Sequence, residues 1–220
     1  MAYVDFISKL HKSSKRDYVA RVTESDKAES SEIAIQYGKD YWDGDRKYGY
    51  GGYQYDGRWR TVAESMINHY NLKSDSKILD VGCGKGYLLY EFKQILPNSE
   101  IQGIDISEYA IQNSKPEITS QLKIGTATTL PFENNYFDYV VSITTLHNLY
   151  NYDLSKSIKE IERVGKNNKH ITVESYRTER EKMNLLYWQL TCRSFYTPQE
   201  WEWFMDTNGY TGDYSCIFFE

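Results

Sequence analysis

The sequence predicts an α/β protein with a doubly wound, mostly parallel sheet, preceded by a helical extension rich in glycine and tyrosine. First, a short apolar run at residues 77–81 is followed by three alternating glycines and a helical stretch. Second, short apolar segments alternate with helical segments as far as residue 173, which is typical of parallel strands joined by crossover helices. Third, glycine and tyrosine are concentrated between residues 37 and 57, ahead of this alternation.

The residues before the sheet are predicted to be mainly helical. Apolar residues at helical spacing predict one helix over residues 3–10 and a second from Ser30 or Ser31 through Tyr37. A segment rich in Gly and Tyr follows, as far as Gly57. Its composition suits a loop that closes over a ligand and equally an aromatic packing arm, so both interpretations stay open.

A third helix is predicted over residues 60–70, where four apolar side chains share one face. We therefore expect residues 1–60 to form a helical arm and lid. Residues 61–220 are expected to form the main domain, with an insert around 176–197 that helps to build a binding pocket.

The main domain is predicted to alternate strands with helices and then to become mostly helical after Glu174. Ser107 and Thr197 precede helical segments as N-caps, and Pro198 follows Thr197 at a first helical position. The strands are predicted at 77–81, 101–104, 122–124, 137–143, 170–173 and 214–219, and the helices at 87–96, from 107, at 154–164, at 179–191 and from 198 to 208.

Composition argues against several partners. Lys and Arg number 26 against 31 Asp and Glu, a net charge of -5, with no long basic run, so a nucleic-acid partner is not expected. No apolar stretch is long enough for a membrane span, and Lys9 and Lys12 lie where a signal peptide needs its apolar block. We therefore expect no membrane partner and a cytoplasmic location.

The three cysteines, Cys83, Cys192 and Cys216, lie far apart in the sequence. None of them belongs to a Cys-x-x-Cys pair or has the Cys/His spacing of a metal site. We expect reduced thiols and no bound metal.

The glycine turn after the first strand is a candidate ligand site, because ligands of doubly wound sheets bind at the carboxyl ends of the strands. Its spacing, Gly82-x-Gly84-x-Gly86, matches neither the dinucleotide fingerprint nor a phosphate-binding loop. This disfavours a nicotinamide-dependent oxidoreductase. Asp105, at the end of the second strand, can accept hydrogen bonds from both hydroxyls of a ribose.

Four segments in register, residues 78–86, 103–107, 125–132 and 136–142, resemble the motifs of class I S-adenosylmethionine-dependent methyltransferases. The resemblance spans about residues 75–175 and implies a Rossmann-like methyltransferase fold, with S-adenosylmethionine as cofactor and S-adenosylhomocysteine as product. The family normally closes its sheet with an antiparallel pair. This chain ends after one apolar strand, which puts that edge of the sheet in doubt.

The resemblance also implies roles for single residues. The turn from residue 82 to 86 would pass under the methionine part of the cofactor, and Asp80 would orient the turn or meet the amino group. Asp105 would hold the ribose and Ile106 would pack on the adenine, whereas Thr126 stands where many members have Asp. The full expected cofactor set is Asp80, Gly82, Cys83, Gly84, Gly86, Asp105, Ile106, Thr126, Ala127, Thr128 and Ser142.

Methyl transfer needs alignment of acceptor and methyl group, and a general base where the acceptor holds a proton. By the resemblance, His147 lies beside the transferable methyl, either as base or only to position the substrate. Glu174, at the end of the fifth strand, is a second candidate, and Tyr176 is a third polar group near it.

The acceptor is expected to be a small polar molecule, such as a glycan precursor or a secondary metabolite, methylated on oxygen or nitrogen. Two alternatives stay open: methylation of a protein or RNA, and a non-catalytic partner protein that binds the cofactor. A homodimer is compatible with the sequence. The expected acceptor-binding residues are Tyr48, Tyr53, Trp59, Arg60 and Trp188.

Overall fold

The computed structural model describes residues 1–13 and 16–220, and within them one sheet of six strands is flanked by helices. The strands are β1 (Lys77–Val81), β2 (Glu100–Asp105), β3 (Leu122–Ile124), β4 (Phe137–Ile143), β5 (Gly165–Ser175) and β6 (Asp213–Phe218). The helices are α1 (Ser8–Lys12), α2 (Ala20–Thr23), α3 (Lys27–Ala34), α4 (Lys39–Asp43), α5 (Arg60–Tyr70), α6 (Tyr87–Ile95), α7 (Glu108–Gln112), α8 (Asn151–Val164), α9 (Glu179–Trp188) and α10 (Pro198–Thr207).

The strand order is β3-β2-β1-β4-β5-β6, and every pairing is parallel. The α/β doubly wound fold is therefore confirmed, and the sheet is wholly rather than mostly parallel. The order reverses between β1 and β4, so the crevice at their carboxyl ends is the expected ligand position. Within the described residues, no helix is both long and apolar enough to cross a membrane.

The central strands are buried on both faces, which explains their nearly continuous apolar sequence. Ile78 of β1 packs into a core formed with α5 and α6, whose buried residues include Met66 and Phe92. Its neighbour Leu79 points to the opposite core, where Ile158 of α8 is buried. The first polar groups of β1 and β2 able to face a ligand come at the strand ends.

The predicted helix over residues 3–10 is wrong in its first half. Tyr3 forms a parallel bridge to Tyr214, and the backbone N–H of Val4 donates to the carbonyl oxygen of Tyr214 at 2.9 Å. The edge of β6 offers unpaired backbone groups, and pairing with them outweighs the local helical pattern. The helix begins only at Ser8, after the Asp5 carboxylate accepts from the N–H groups of residues 7 and 8.

The second predicted helix is shifted toward the N-terminus. It begins after Asp26, whose carboxylate accepts from the N–H groups of Ala28 and Glu29, and it ends at Ala34. Tyr37 has a φ of 48° and cannot continue the helix. The short helices α2 and α4 and a turn of 3₁₀ helix at 46–48 were not predicted, because four- and five-residue helices carry almost no periodicity.

The later elements lie close to the predicted positions. The bounds of α5, β1, β3 and β4 are confirmed, whereas α8 begins three residues early and α9 ends at Trp188. Strand β5 begins at Gly165, five residues before the predicted start, because its polar first half pairs with β4 through backbone groups. The predicted cap of α10 is confirmed as a capping box between Thr197 and Glu200.

Replacing Thr197 with Ala is expected to lower the free energy of unfolding by about 1 kcal/mol, since it removes the hydroxyl that accepts from the Glu200 N–H at the start of α10. Thr197→Ser keeps the hydroxyl and is the matched control. Chemical denaturation of the two variants and the parent checks this. Equal stability of the Ala and Ser variants would contradict the capping role.

Candidate functional site

Three cavities meet at the carboxyl ends of β1, β2, β4 and β5. The largest, of about 400 Å³, has Glu174 and Trp188 in its wall and is called the large chamber. A cavity of about 170 Å³ contains Asp105 in its wall, and one of about 60 Å³ contains Asp80. We call these the Asp105 cavity and the Asp80 cavity. Tyr50, Ile143 and Thr144 line all three, so the cavities adjoin one another at these residues.

The glycine turn lines both smaller cavities, and its backbone is crowded on one side by neighbouring side chains. Gly82 has a φ of 83°, and a Cβ there would lie 2.0 Å from Oγ1 of Thr145. Gly84 has a φ of 54°, and its Cβ would lie 2.7 Å from the Trp42 ring. No other residue type fits either position without displacing a neighbour. Gly86 instead packs over Ile118 and Leu122 and lines none of the three cavities.

Asp105 is buried, and its carboxylate is held by the turn. The Gly84 N–H donates to Oδ2 at 2.7 Å and the Ser107 N–H donates to Oδ1 at 2.8 Å. Burial raises the pKa of Asp105 despite these hydrogen bonds, which act in the opposite direction. Each oxygen retains acceptor capacity toward the cavity, as binding of a vicinal diol requires.

The wall beside Asp105 has the shape and polarity for an aromatic base. Ile106 is 64% exposed, and Thr126 and Ala127 line the same cavity. Thr128 does not line it, and its hydroxyl lies 3.0 Å from that of Thr126. Three of the four residues expected beside the adenine therefore line one cavity together with Asp105.

Asp80, at the end of β1, is buried beside the third cavity. Its carboxyl group accepts no hydrogen bond from residues 1–13 or 16–220. Burial, and to a lesser extent the charge of Asp105, raises the pKa of Asp80 to about 8. A buried carboxyl group without a partner is costly, and a cationic group in the cavity would stabilise its ionised form. This chemistry fits the ammonium group of an amino acid.

The segment rich in Gly and Tyr covers the turn with an aromatic layer. The Trp42 and Tyr50 rings stack at 5.2 Å, and Tyr53 stacks on Tyr87 at 5.1 Å. The Trp42 indole donates to the hydroxyl of Ser107 at 2.9 Å, which fixes the layer to the start of α7. These contacts put the segment over the glycine turn, in the position predicted for a lid.

A buried ion pair fastens this layer to the turn. Lys85, between Gly84 and Gly86, has a side chain only 2% exposed, and its Nζ donates to both oxygens of Asp43 at 2.7 and 2.8 Å. Nζ also donates to the carbonyl oxygen of Tyr53, and Tyr109 donates to Asp43. These hydrogen bonds hold the pKa of Asp43 below its usual range despite partial burial. Asp43 and Lys85 therefore connect α4 to the turn.

His147 and Glu174 are buried together at the ends of β4 and β5. The Glu174 N–H donates to Nδ1 of His147 at 3.3 Å, which leaves the proton of a neutral imidazole on Nε2, 3.4 Å from Oε2 of Glu174. Burial lowers the pKa of His147 to about 3 and raises the pKa of Glu174 to about 8. Gln189 donates to the other carboxyl oxygen, Oε1. Glu174 lines the large chamber, whereas His147 lies behind it.

The expected acceptor-binding residues divide into two groups. Tyr53, Trp59 and Trp188 line the large chamber. Tyr48 and Arg60 line none of the three cavities. Tyr48 packs under Lys47, and Arg60 forms an exposed ion pair with Glu64.

Two more expected site residues lie away from the cavities. Tyr176 follows β5 and lies under the ammonium of Lys182, 5.3 Å from it. The Ser142 hydroxyl donates to the carbonyl oxygen of Val81 at 2.8 Å and joins β4 to β1 inside the sheet. In Ser142 the motif therefore marks a packing position rather than a cavity wall.

Sequence reasoning missed the Lys85–Asp43 pair and the position of Thr144 in the wall of all three cavities. Lys85 stood inside the glycine motif without an assigned role, and nothing in the sequence paired it with a residue 42 positions earlier. Thr144 has a φ of 51°, an unusual conformation for a β-branched residue, and directly follows β4 at the cavity junction. Only the structure reveals such a conformation.

Comparison with known proteins agrees with this geometry. The model of the methyltransferase domain family matches residues 72–209. The demethylmenaquinone methyltransferase of Staphylococcus saprophyticus is 35% identical over 112 residues, which cover 49% of this chain and 47% of that protein. The chain thus spans about half the length of such relatives.

Two solved structures share the fold. The YcgJ protein from Bacillus subtilis superimposes with a TM-score of 0.55 at 20% identity, over 66% of each chain. The [4+2]-cyclase SpnF also gives a TM-score of 0.55, at 19% identity, over 71% of this chain and 61% of its own. At these identities the likeness establishes the fold alone.

Lys85→Met is expected to destabilise the protein by about 3–5 kcal/mol, because it leaves Asp43 partly buried without its cation. Amide hydrogen exchange should quicken first in residues 37–57. The double variant Lys85→Met/Asp43→Leu, which leaves no uncompensated charge, should recover part of the loss. A double variant no more stable than Lys85→Met would contradict the stabilising role of the Lys85–Asp43 ion pair.

Asp80→Asn is expected to stabilise the protein, and more strongly at pH 8 than at pH 5. With a pKa of about 8, folded Asp80 keeps a proton that the unfolded chain has released above about pH 4, so its contribution to stability falls as the pH rises through this range. Chemical denaturation of both proteins from pH 5 to 8.5 measures the difference. A pH-independent difference would show that the folded-state pKa is not raised.

Proposed function

This chain is a member of the methyltransferase domain family, and on that premise we propose that it is an S-adenosylmethionine-dependent methyltransferase acting on a small polar molecule, at oxygen or nitrogen. One observation carries the proposal. The two cavities beside the glycine turn adjoin the large chamber at Tyr50, Ile143 and Thr144, so two ligands bound on either side would meet there. In-line transfer needs such a meeting point.

The residues present fit the cofactor. Asp105 offers two carboxylate oxygens for the ribose hydroxyls, Ile106 offers an exposed apolar face for the adenine, and the crowded backbone at Gly82 and Gly84 allows close approach. Asp80 would face the ammonium of the methionine part. When bound, S-adenosylmethionine supplies a methyl group activated by its positively charged sulfur.

Glu174 is the group best placed to take the acceptor's proton. It lines the large chamber, its Oε2 has no hydrogen-bond partner in the described parts of the chain, and its pKa of about 8 suits a base near neutral pH. His147, buried and neutral behind it, is a positioning residue, because its Nδ1 accepts from the Glu174 backbone N–H and its Nε2 lies 3.4 Å from Oε2. This arrangement favours Glu174 over His147 as the base.

The dimensions and cover of the large chamber favour a small acceptor. A volume of about 400 Å³ lies in the range of small-molecule sites, and Tyr41, Tyr50 and Tyr53 from the arm form part of its wall. A macromolecular acceptor would have to present its target group beneath this arm. The net charge of -5 also gives no support to RNA. The division into an arm of residues 1–60 and a domain of residues 61–220 is retained as part of this proposal.

Calorimetric titration should show binding of S-adenosylmethionine and S-adenosylhomocysteine, and no binding of NADH. Asp105→Ala should abolish binding, because it removes both ribose acceptors. Asp75→Ala, which removes an exposed carboxylate from a residue that lines none of the three cavities, should bind as the parent does. Absence of binding in the parent protein, or undiminished binding by Asp105→Ala, would refute the cofactor assignment.

Glu174→Gln should reduce methyl transfer by about 100-fold or more, the usual contribution of a general base, while S-adenosylhomocysteine binding is retained. Transfer from S-adenosylmethionine with a tritiated methyl group into a cell extract, followed by separation of small molecules, protein and RNA, measures both rate and acceptor class. Label in precipitated protein or RNA would contradict a small acceptor. Label that is independent of residue 174 would remove it from the mechanism.

A further inference from the structure

One indole ring in the large chamber is surrounded by three cations. The guanidinium carbons of Arg16, Arg21 and Arg46 lie 5.5, 5.1 and 5.0 Å from the centre of the Trp188 ring. These arginines come from three separate segments of the arm, and all of them line the chamber. The chain brings like charges together here although they repel one another.

Arg21 and Arg46 are not paired with carboxylates in the described part of the chain, although the charge of Asp45 acts favourably on Arg21. Within residues 1–13 and 16–220, the hydrogen bonds that Arg21 and Arg46 donate go to backbone carbonyl oxygens. Burial and the charge of Arg46 lower the pKa of Arg21 to about 10, so its charge is held at a cost and is still present at neutral pH.

The other charged groups that line the chamber do not cancel the positive charge of Arg21 and Arg46. Asp56 is paired with a fourth arginine, Arg58. Glu174, with a pKa of about 8, is mostly protonated at pH 7. His11 is neutral there, because burial lowers its pKa to about 4. The guanidinium groups of Arg21 and Arg46 therefore place positive charge in the chamber of a protein whose net charge is -5.

We infer that the large chamber binds its acceptor through an anionic group, a carboxylate or a phosphate, held by Arg21 and Arg46 beside the ring of Trp188. This deepens the proposed function and rests on it, since it names the chemical class of the acceptor. Guanidinium groups match the planar geometry of these anions and bind them through paired hydrogen bonds. An anion between the arginines would offset the repulsion between their positive charges.

The cluster is separate from the expected cofactor position. Arg16, Arg21 and Arg46 line neither the Asp105 cavity nor the Asp80 cavity, where the methionine part would lie. The carboxylate of the cofactor is therefore not the anion that these residues are arranged to bind. This separation allows the two ligands to be tested independently.

The test is calorimetric titration of the full chain with pyrophosphate, with citrate and, separately, with S-adenosylhomocysteine, at constant ionic strength. The variants are Arg21→Gln and Arg46→Gln, since Gln keeps an N–H donor for the backbone contacts. Arg180→Gln removes the same charge from an exposed position on α9 and is the matched control. Circular dichroism verifies that each variant is folded.

We expect saturable binding of at least one anion, weakened at least about tenfold in Arg21→Gln and in Arg46→Gln and unchanged in Arg180→Gln. Binding of pyrophosphate alone indicates a phosphorylated acceptor, and binding of citrate alone a carboxylate. Lack of binding by both anions, or equal weakening in Arg180→Gln, overturns the inference.

Titration with S-adenosylhomocysteine distinguishes the anion-binding site from the proposed function. Unchanged affinity for it in Arg21→Gln and Arg46→Gln supports an acceptor site. A parallel loss of its affinity would assign these arginines to the cofactor and overturn the inference. If the parent protein binds anions through the arginines but fails to bind S-adenosylhomocysteine, the proposed function fails while the anion site stands.

Discussion

The ion pair between Lys85 and Asp43 is the interaction on which the rest of the site depends. Lys85 belongs to the glycine turn and Asp43 to α4, so the pair joins the turn after β1 to the arm before the sheet. The arm supplies Trp42, Tyr50 and Tyr53 to the cavity walls. Without that attachment the arm would not cover the strand ends, and the three adjoining cavities would lose one wall. Because the pair is largely buried, removing one partner would leave the other charge uncompensated, which is costly.

The site also retains groups that a protein selected for stability alone would have replaced. Asp80 and Glu174 are buried carboxyl groups with raised pKa values, and Arg21 is a partly buried cation with a lowered one. The charged form of each group is unfavourable in its buried position. A ligand of opposite charge would stabilise that form, and a carboxylate can also take a proton from a ligand. Asp80 lines the Asp80 cavity, and Glu174 and Arg21 line the large chamber, so each is placed to meet a ligand.

The sheet establishes the family of this chain, whereas the cavity walls bear on the identity of the acceptor. Family membership rests on residues 72–209, and the shared fold with a [4+2]-cyclase shows that the architecture does not by itself fix a reaction. The acceptor-side wall comes largely from the arm and from the segment after α9. Because most of this wall lies before residue 72, outside the family match, the acceptor is deduced from the charges and shape of the chamber. The comparison with relatives, which covers about half their length, leaves that question to experiment.

The sequence alone determined the alternation of strands and helices, the glycine turn and Asp105 at the end of β2. These features are local, since apolar periodicity and glycine spacing act over a few residues. Tertiary structure decided the features that join distant residues: the pairing of Tyr3 with Tyr214, which replaced a predicted helix, the Lys85–Asp43 pair, and the removal of His147 from the chamber in favour of Glu174. Local patterns do not encode such contacts, because their energy arises only when remote segments are buried against one another.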